Sequence, residues 1–197
     1  MAPPRPGGTA PHVLVGDVEH PVLAPDDLHH LSRVRRLRDG DPLTVTDGAG
    51  RWRWCRFRDS GEPELDGGVV VDEPVAPVLT VAFALVKGER PELVVQKLTE
   101  LGVDRIVPFV AERSVVRWDP DKAGRQGERL AAIARSASMQ SRRTWLPVVE
   151  PVAGFAEVAA RPGACGAVEG GDAPSLEWPC VLIGPEGGWG PAERATF

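Results

Sequence analysis

The residues of this chain best suited to handling a ligand lie in three short stretches: Lys87 with Glu89, Glu112 with Arg113 and Ser114, and Val181 to Gly190, VLIGPEGGWG. The last is an apolar run that opens into Gly184, Pro185, Glu186, Gly187 and Gly188. A loop so poor in side chains lets backbone N–H and C=O groups approach a bound molecule closely. Pro191, whose fixed φ and missing N–H are tolerated in a first helical turn, starts a helix behind it. Taken alone, the same residues also make a glycine turn that binds nothing.

A fourth group has a different chemistry. Between Arg33 and Arg58 stand eight arginines against three acids, Asp39, Asp41 and Asp47, a local charge of +5 in a chain of net −5. Guanidinium groups suit phosphates and flat rings suit unpaired bases. Arg33, Arg35, Arg36, Arg38, Arg51 and Arg53, interleaved with Trp52, Trp54 and Phe57, therefore read as an RNA surface. Alternation holds from Arg51 to Trp54 and breaks at Cys55, which predicts a bulge that sends Arg and Trp to different faces. The competing reading makes the tryptophans core and the arginines a solvated face. It is preferred for Trp52 and Trp54 singly, but not for the arginine cluster.

Two kinds of element must position these residues. From residue 12 to 76 short apolar runs are broken by Asp-Gly, Gly-Gly and Pro, which predicts a small β-rich, barrel-like domain. Within it, Leu28, Leu31, Val34 and Leu37 recur every three residues as one helical stripe that Gly40 stops. From residue 77 to 197 the period changes. Strands are expected at 79–86, 103–110, 147–149, 164–168 and 181–183, alternating with helices at about 89–102, 122–140 and 155–160. The stripe of the first helix is Val94, Leu98 and Leu101; that of the long one is Leu130, Ile133, Ala134 and Ala137. Alternation of this kind predicts an α/β domain with a parallel sheet, whose ligands bind beyond the carboxyl ends of the strands. All three loops named at the outset fall at such ends. Residues 1–11 read as a flexible terminus.

Composition excludes little, but several familiar chemistries have no residues to run them. An apolar content of 42% and a charged content of 26% are ordinary for a globular protein. There is no GxxxxGK[ST] and no GxSxG, and the first α/β strand is followed by KGERPE in place of GxGxxG. The four histidines, His12, His20, His29 and His30, precede the α/β part and have no metal-ligand spacing, so no metal is expected. Cys55, Cys165 and Cys180 form no CxxC and fit a reducing cytoplasm. No apolar run approaches the roughly 20 residues of a membrane span, and MAPPRPGG lacks the core of a signal peptide.

Taken together, HHLSRVRRLRDGD, DGAG, LVKGERPELVVQKLTELGV, AERSVVRW, SASMQSRRTWLP and VLIGPEGGWGPAE resemble, in order, the motifs of the RsmE family of bacterial 16S ribosomal RNA methyltransferases. These enzymes methylate N3 of one uridine. The resemblance implies a PUA-like β-barrel followed by a SPOUT domain with a trefoil knot, S-adenosylmethionine as methyl donor, and a homodimer acting on 16S rRNA in the small subunit. It makes Leu182, Ile183, Gly184, Pro185, Glu186, Gly187 and Gly188 a wall of the cofactor pocket, and gives RNA contact to the arginines above and Lys87. Arg113 and Arg143 become candidates for steadying the substrate anion or its phosphates, and Glu112 and Glu186 for orienting partners. Gln96 and Glu100, which share a helix face, could contact the knot or the partner subunit. The structural alternatives are a Glu112–Arg113 ion pair, a purely structural Arg143, and a solvated face for Gln96 and Glu100. Gln140 is as well explained by structure as by substrate. Met139 and Arg142 stand where the family tends to have an acidic and a small residue. Family members continue past the helix at Pro191 into a strand and an LGxRILRxETA-like segment. The resemblance therefore implies that the SPOUT domain is incomplete at Phe197 and that the pocket's opposite wall lies in that segment. The alternatives are a non-catalytic RNA-binding module and a SPOUT methyltransferase with another RNA target.

Overall fold

A computed structural model describes residues 10–88 and 90–197. The expected terminus up to position 9, and Glu89, lie outside the described residues. The chain forms two compact units: residues 1–74 with 138–146, and residues 75–137 with 147–197. The first break lies two residues before the expected join at 76/77. The return of 138–146 to the first unit is something a single cut cannot express.

In the first unit the elements are β1 (His12–Leu14), α1 (Pro25–His29), β2 (Pro42–Thr46), β3 (Arg51–Arg56), β4 (Glu64–Leu65) and β5 (Val70–Val71). They form a sheet of order β1-β2-β3-β4 with β5 also on β3; β1 and β2 run parallel, and the other pairs are antiparallel. The register from Pro42↔Arg56 to Thr46↔Trp52 is unbroken, so the expected bulge at Cys55 is absent. The broken alternation has another cause, which is that β3 is covered on both faces. One face packs Leu43, Val45, Cys55 and Phe57 with Val13 and Leu31. The other carries His12, Thr44, Thr46 and the fully buried Trp52.

That second face is where residues 143–146 dock, while Met139 packs on the first. Thr46 and the Gly50 N–H both donate to the Thr144 carbonyl, at 3.3 and 2.9 Å, and the Leu146 N–H donates to Gly48 at 2.8 Å. The Trp145 indole donates to the Asp72 carbonyl at 3.0 Å. A Cβ on Gly50 would stand 2.6 Å from both the Trp145 ring and that carbonyl, and φ is +90° there, so the DGAG turn needs glycine at this point.

After α1 the chain widens into a π-turn over His30–Val34, with the Arg35 N–H reaching the His30 carbonyl at 2.9 Å. Leu28, Leu31 and Leu37 meet the core as expected. Val34 is instead 63% exposed, because the wider turn takes it off the stripe. The chain leaves at Arg36 in the left-handed region (φ 57°), so this ending precedes Gly40.

In the second unit, β6 (Thr80–Ala84), α2 (Arg90–Glu100), β7 (Arg105–Val110), α3 (Pro120–Ser141), β8 (Val148–Val149), β9 (Ala153–Gly154), α4 (Phe155–Ala159), β10 (Ala164–Ala167), β11 (Cys180–Ile183) and α5 (Pro191–Arg194) follow. The sheet order is β10-β11-β6-β7-β8, with β9 also on β7, and every pair is parallel. Ala82, Ala84, Val107, Phe109 and Leu182 face one layer with Val158 of α4. Phe83 and Ile106 face the other with Val95, Leu130 and Ala134. Covering on both faces explains the near-continuous apolar strands. Pro108, which cannot donate to a ladder, falls where β7 passes between its partners β8 and β9. On α2 the fully packed positions are Pro91, Val95 and Thr99, and Leu101 is 79% exposed, which moves the expected stripe by one residue. Val94 and Leu98 lie at its border.

His12 links the two parts of the first unit. Its Nε2–H donates to the Arg143 carbonyl at 3.1 Å, and its Nδ1 accepts from the Thr44 hydroxyl at 2.7 Å. Burial pushes its pKa down from 6.5 to about 4, against the opposing pull of the Arg143 carbonyl. The unfolded chain gains this proton near pH 6.5 and the folded chain refuses it until near pH 4. The stabilisation is therefore complete above about 6.5 and is lost as pH falls toward 4, by about 3 kcal/mol. Denaturant titrations of wild type and His12→Asn at pH 7 and pH 4 should show the wild type losing about 3 kcal/mol more than the variant; equal losses would contradict this.

Candidate functional site

Parallel pairing in the order β11-β6-β7 sets the loops after Ile183, Ala84 and Val110 side by side at one edge of the sheet. Three sets of contacts join them. The Arg90 guanidinium, just past the β6 loop, meets the Glu186 carboxylate at 2.9 Å. The Arg113 Nη1–H donates to the Gly187 carbonyl at 3.1 Å. The Glu193 carboxylate, 6% exposed, accepts from the Glu112 N–H at 2.7 Å and from the Gly190 N–H at 3.0 Å. The loop after β7 is braced internally, the Ala111 N–H donating to the Ser114 hydroxyl at 3.0 Å.

Glu193 was not singled out from the sequence, although its signal is present. Gly190, Pro191 and Glu193 occupy the N-cap, first and third helical positions of α5, where a glutamate reaches back to the cap N–H. The glycines also have steric reasons. A Cβ on Gly190 would overlap the Glu112 carboxylate, and one on Gly184 would stand 2.9 Å from the Trp189 ring. Gly188 closes a turn at φ 72° with its N–H on the Pro185 carbonyl at 2.8 Å. Glu186 and Gly187 keep backbone N–H groups that meet no acceptor among the described residues. Behind the loop, Trp189 stacks on Phe109 with ring centres 6.1 Å apart, and its indole donates to the Ala167 carbonyl at 3.0 Å.

Of the expected pocket residues, Gly184, Pro185, Glu186, Gly187 and Gly188 form this loop, and Ile183 is partly exposed at its entrance. Leu182 is turned into the sheet core. Glu112 and Arg113 are drawn to the same loop; no ion pair joins them among the described residues, and Arg113 donates to the Gly187 carbonyl. Lys87 is exposed after β6. Gln96 bonds Glu100 at 2.9 Å on the exposed face of α2. Arg143 stands in the first unit, its carbonyl held by His12.

The arginine cluster divides in two. Arg51 pairs with Glu19 at 2.7 Å, Arg56 with Asp66 at 2.7 Å, and Arg58 with Glu64. Arg53 is 7% exposed and donates to the Val18 and Gly67 carbonyls and to Glu19, so it is part of the core and not of an RNA surface. Arg33, Arg35, Arg36 and Arg38 are exposed around the π-turn, and Arg33, Arg36 and Arg38 pair with no acid among the described residues. The open positive charge is therefore concentrated on that turn.

At the opposite edge of the second unit's sheet, a cavity of about 450 Å3 is lined by Thr80, Arg105, Glu150, Arg161 and Cys180, among others. Glu150 binds Arg161 at 2.8 and 3.1 Å and Arg105 at 3.3 Å, and the Arg161 hydrogen bonds hold its carboxyl below the usual range. These charges satisfy one another. Among the described residues there is no group of three metal-ligating side chains, and no helix is long and apolar enough to cross a membrane.

Comparison with known proteins agrees with the geometry. A family profile for an RNA methyltransferase domain matches residues 73–197, and one for an RNA methyltransferase PUA domain matches residues 23–69. The chain is 33% identical over 194 residues to ribosomal RNA small subunit methyltransferase E of Mycobacterium tuberculosis, covering 89% of this chain and 74% of that one. The Bacillus subtilis protein of the same name is 31% identical over 140 residues, or 69% of this chain and 55% of its own. Among solved structures, ribosomal RNA small subunit methyltransferase E from Neisseria gonorrhoeae, bound to S-adenosyl methionine, superposes with a TM-score of 0.75 at 25% identity, over 95% of this chain and 85% of that one.

Removing the Glu193 carboxylate strands two backbone donors, those of Glu112 and Gly190. Glu193→Ala should lower unfolding stability by about 3 kcal/mol and speed hydrogen exchange at both amides. Glu193→Gln, which retains one acceptor oxygen, should lose less; unchanged exchange in the alanine variant would refute the brace.

Proposed function

Because the chain belongs to the family of ribosomal RNA small subunit methyltransferases E, we infer that it transfers a methyl group from S-adenosylmethionine to N3 of a uridine in 16S ribosomal RNA. The observation that carries this reading is the edge of the second unit's sheet, where a glycine loop, Arg113 and Glu112 are locked together. The loop suits the methyl donor: its glycines let backbone come close, and Glu186 and Gly187 offer unpaired N–H donors. Ile183, Gly184, Pro185, Glu186, Gly187 and Gly188 would hold it, with Leu182 supporting them from the core. The donor supplies an electrophilic methyl on a sulfonium.

The protein's own task is to make N3 of uracil a nucleophile. The N3–H is a weak acid and must lose its proton as the new bond forms, so negative charge develops on the ring. A preorganised cation lowers that cost without rearranging at the moment of reaction. Arg113 fits the role: one N–H is anchored on the Gly187 carbonyl, which aims the remaining donors of an exposed guanidinium. Glu112, fixed through its own N–H, orients partners there. Arg143 and the exposed arginines of the turn, Arg33, Arg35, Arg36 and Arg38, bind RNA phosphates, joined by Lys87; Arg51 plays a lesser part because Glu19 already neutralises it.

The same reading includes the knotted SPOUT architecture, a homodimer and a cytoplasmic setting. More than half of Leu93 on α2 and of Leu101 just past its end is exposed, which supports a second copy as their cover, and three unpaired cysteines suit a reducing compartment. The test is methyl transfer from labelled S-adenosylmethionine to small subunits lacking the modification. The expected product is N3-methyluridine in 16S rRNA, with Arg113→Ala slowed at least about 100-fold. RNA binding without transfer would favour a binding module, and a different methylated base another RNA target.

A further inference from the structure

Arg90 is the first residue of α2 and stands where its charge is not favoured. The first turn of a helix carries unpaired N–H groups and a partial positive charge, so an acid is stabilised there and a cation is not. The acid of that turn, Glu92, is taken by Arg129 at 2.8 Å. Arg90 turns instead to the glycine loop, 96 residues away in sequence, and meets the Glu186 carboxylate at 2.9 Å. This contact adds little to stability, because the two side chains are 68% and 58% exposed and water screens such a pair. The loop has firmer holds in the buried Glu193 carboxylate on the Gly190 N–H and the Arg113 guanidinium on the Gly187 carbonyl. A local preference broken at a ligand loop, with no gain in stability, points to a use. What lies beside the pair suggests which. The Glu186 and Gly187 N–H groups meet no acceptor among the described residues. One cation, one anion and two backbone donors thus stand on exposed residues at the mouth of the loop. S-adenosylmethionine ends in an amino acid, whose ammonium and carboxylate sit on one carbon. Such a zwitterion exchanges with an exposed ion pair and leaves no charge unmatched: its carboxylate takes the guanidinium and the N–H groups, and its ammonium takes the protein's carboxylate.

We propose that Arg90 and Glu186 form the subsite for the amino-acid end of the methyl donor, the Arg90 guanidinium binding its carboxylate and the Glu186 carboxylate its ammonium. In the free protein their mutual ion pair keeps the two side chains at the mouth of the loop. This rests on the reading of the loop as the S-adenosylmethionine site. It adds Arg90 to that site and gives the Glu186 side chain a role separate from that of its backbone N–H.

The test is calorimetric binding of three compounds to the full chain: S-adenosylmethionine; S-adenosylhomocysteine, which keeps the amino-acid end but has no sulfonium charge; and 5′-methylthioadenosine, which lacks the amino-acid end. Wild type is compared with Arg90→Ala, Arg90→Lys and Glu186→Gln, whose replaced side chains are exposed and not needed for folding. Arg90→Ala and Glu186→Gln should each bind S-adenosylmethionine and S-adenosylhomocysteine about 10-fold more weakly, and 5′-methylthioadenosine as wild type does. Arg90→Lys, which keeps the charge but not the planar fork, should lose less. An ion pair that merely held the loop would weaken all three compounds in proportion, and a Glu186 directed at the sulfonium would leave S-adenosylhomocysteine binding unchanged in Glu186→Gln; either result overturns the proposal. Where 5′-methylthioadenosine binds wild type too weakly to measure, hydrogen exchange at the Glu186 and Gly187 amides of the ligand-free variants decides: wild-type rates support the proposal and faster rates overturn it. Unchanged affinity for S-adenosylhomocysteine with weakened binding of 16S rRNA would assign Arg90 to a phosphate and reject the proposal alone. Should wild type bind none of the three compounds, the reading of the loop fails and the proposal with it.

Discussion

One buried carboxylate fixes how the edge of the second unit's sheet is built. Strand β7 ends and helix α5 begins with backbone N–H groups that face the interior, and neither has a backbone acceptor within reach of its own element. Glu193 receives both, so the loop after β7 and the loop after β11 share one polar anchor. The other features follow from that closeness: the Glu112 carboxylate lies against Gly190, and Arg113 is near enough to reach the Gly187 carbonyl. The stack of Trp189 on Phe109 seals the loop from behind.

The first unit depends on another kind of economy. Of the eight arginines between Arg33 and Arg58, four (Arg51, Arg53, Arg56 and Arg58) are taken up by acids, chiefly Glu19, Glu64 and Asp66 from outside that stretch. What remains without an acidic partner among the described residues is Arg33, Arg36 and Arg38 of one compact basic turn. A field that is concentrated attracts a polyanion at one place, while the chain as a whole keeps its negative charge. Residues 138–146 add Arg143 to the same unit, its N–H held by the Ser138 carbonyl and its own carbonyl by His12.

Much of this was legible in the residues. Strand and helix alternation after residue 77, the parallel sheet and the three functional loops at its edge follow from apolar periodicity and from where polar residues interrupt it. Three things did not follow. The tryptophan–arginine strand looked like an alternating surface with a bulge, but a regular strand buried on both sides produces the same pattern, and the covering segment comes from about ninety residues away. Arg53 looked like its neighbours because burial of a guanidinium depends on carbonyls that loops bring to it. Val34 kept helical spacing in the sequence, yet one wide turn moved it to solvent. Glu193 was readable in principle, as a capping glutamate, but its second partner in the loop after β7 was not.

The central claim is that the loop Gly184–Gly188, braced by Glu193 and Arg113, receives S-adenosylmethionine. Hydrogen exchange with and without that compound tests it most directly. The account predicts slowed exchange at the Glu186 and Gly187 amides, with smaller changes at Glu112 and Ser114 and none at Gly48 or Gly50. Unchanged exchange at Glu186 and Gly187 under saturating ligand, or protection confined to the first unit, would contradict it.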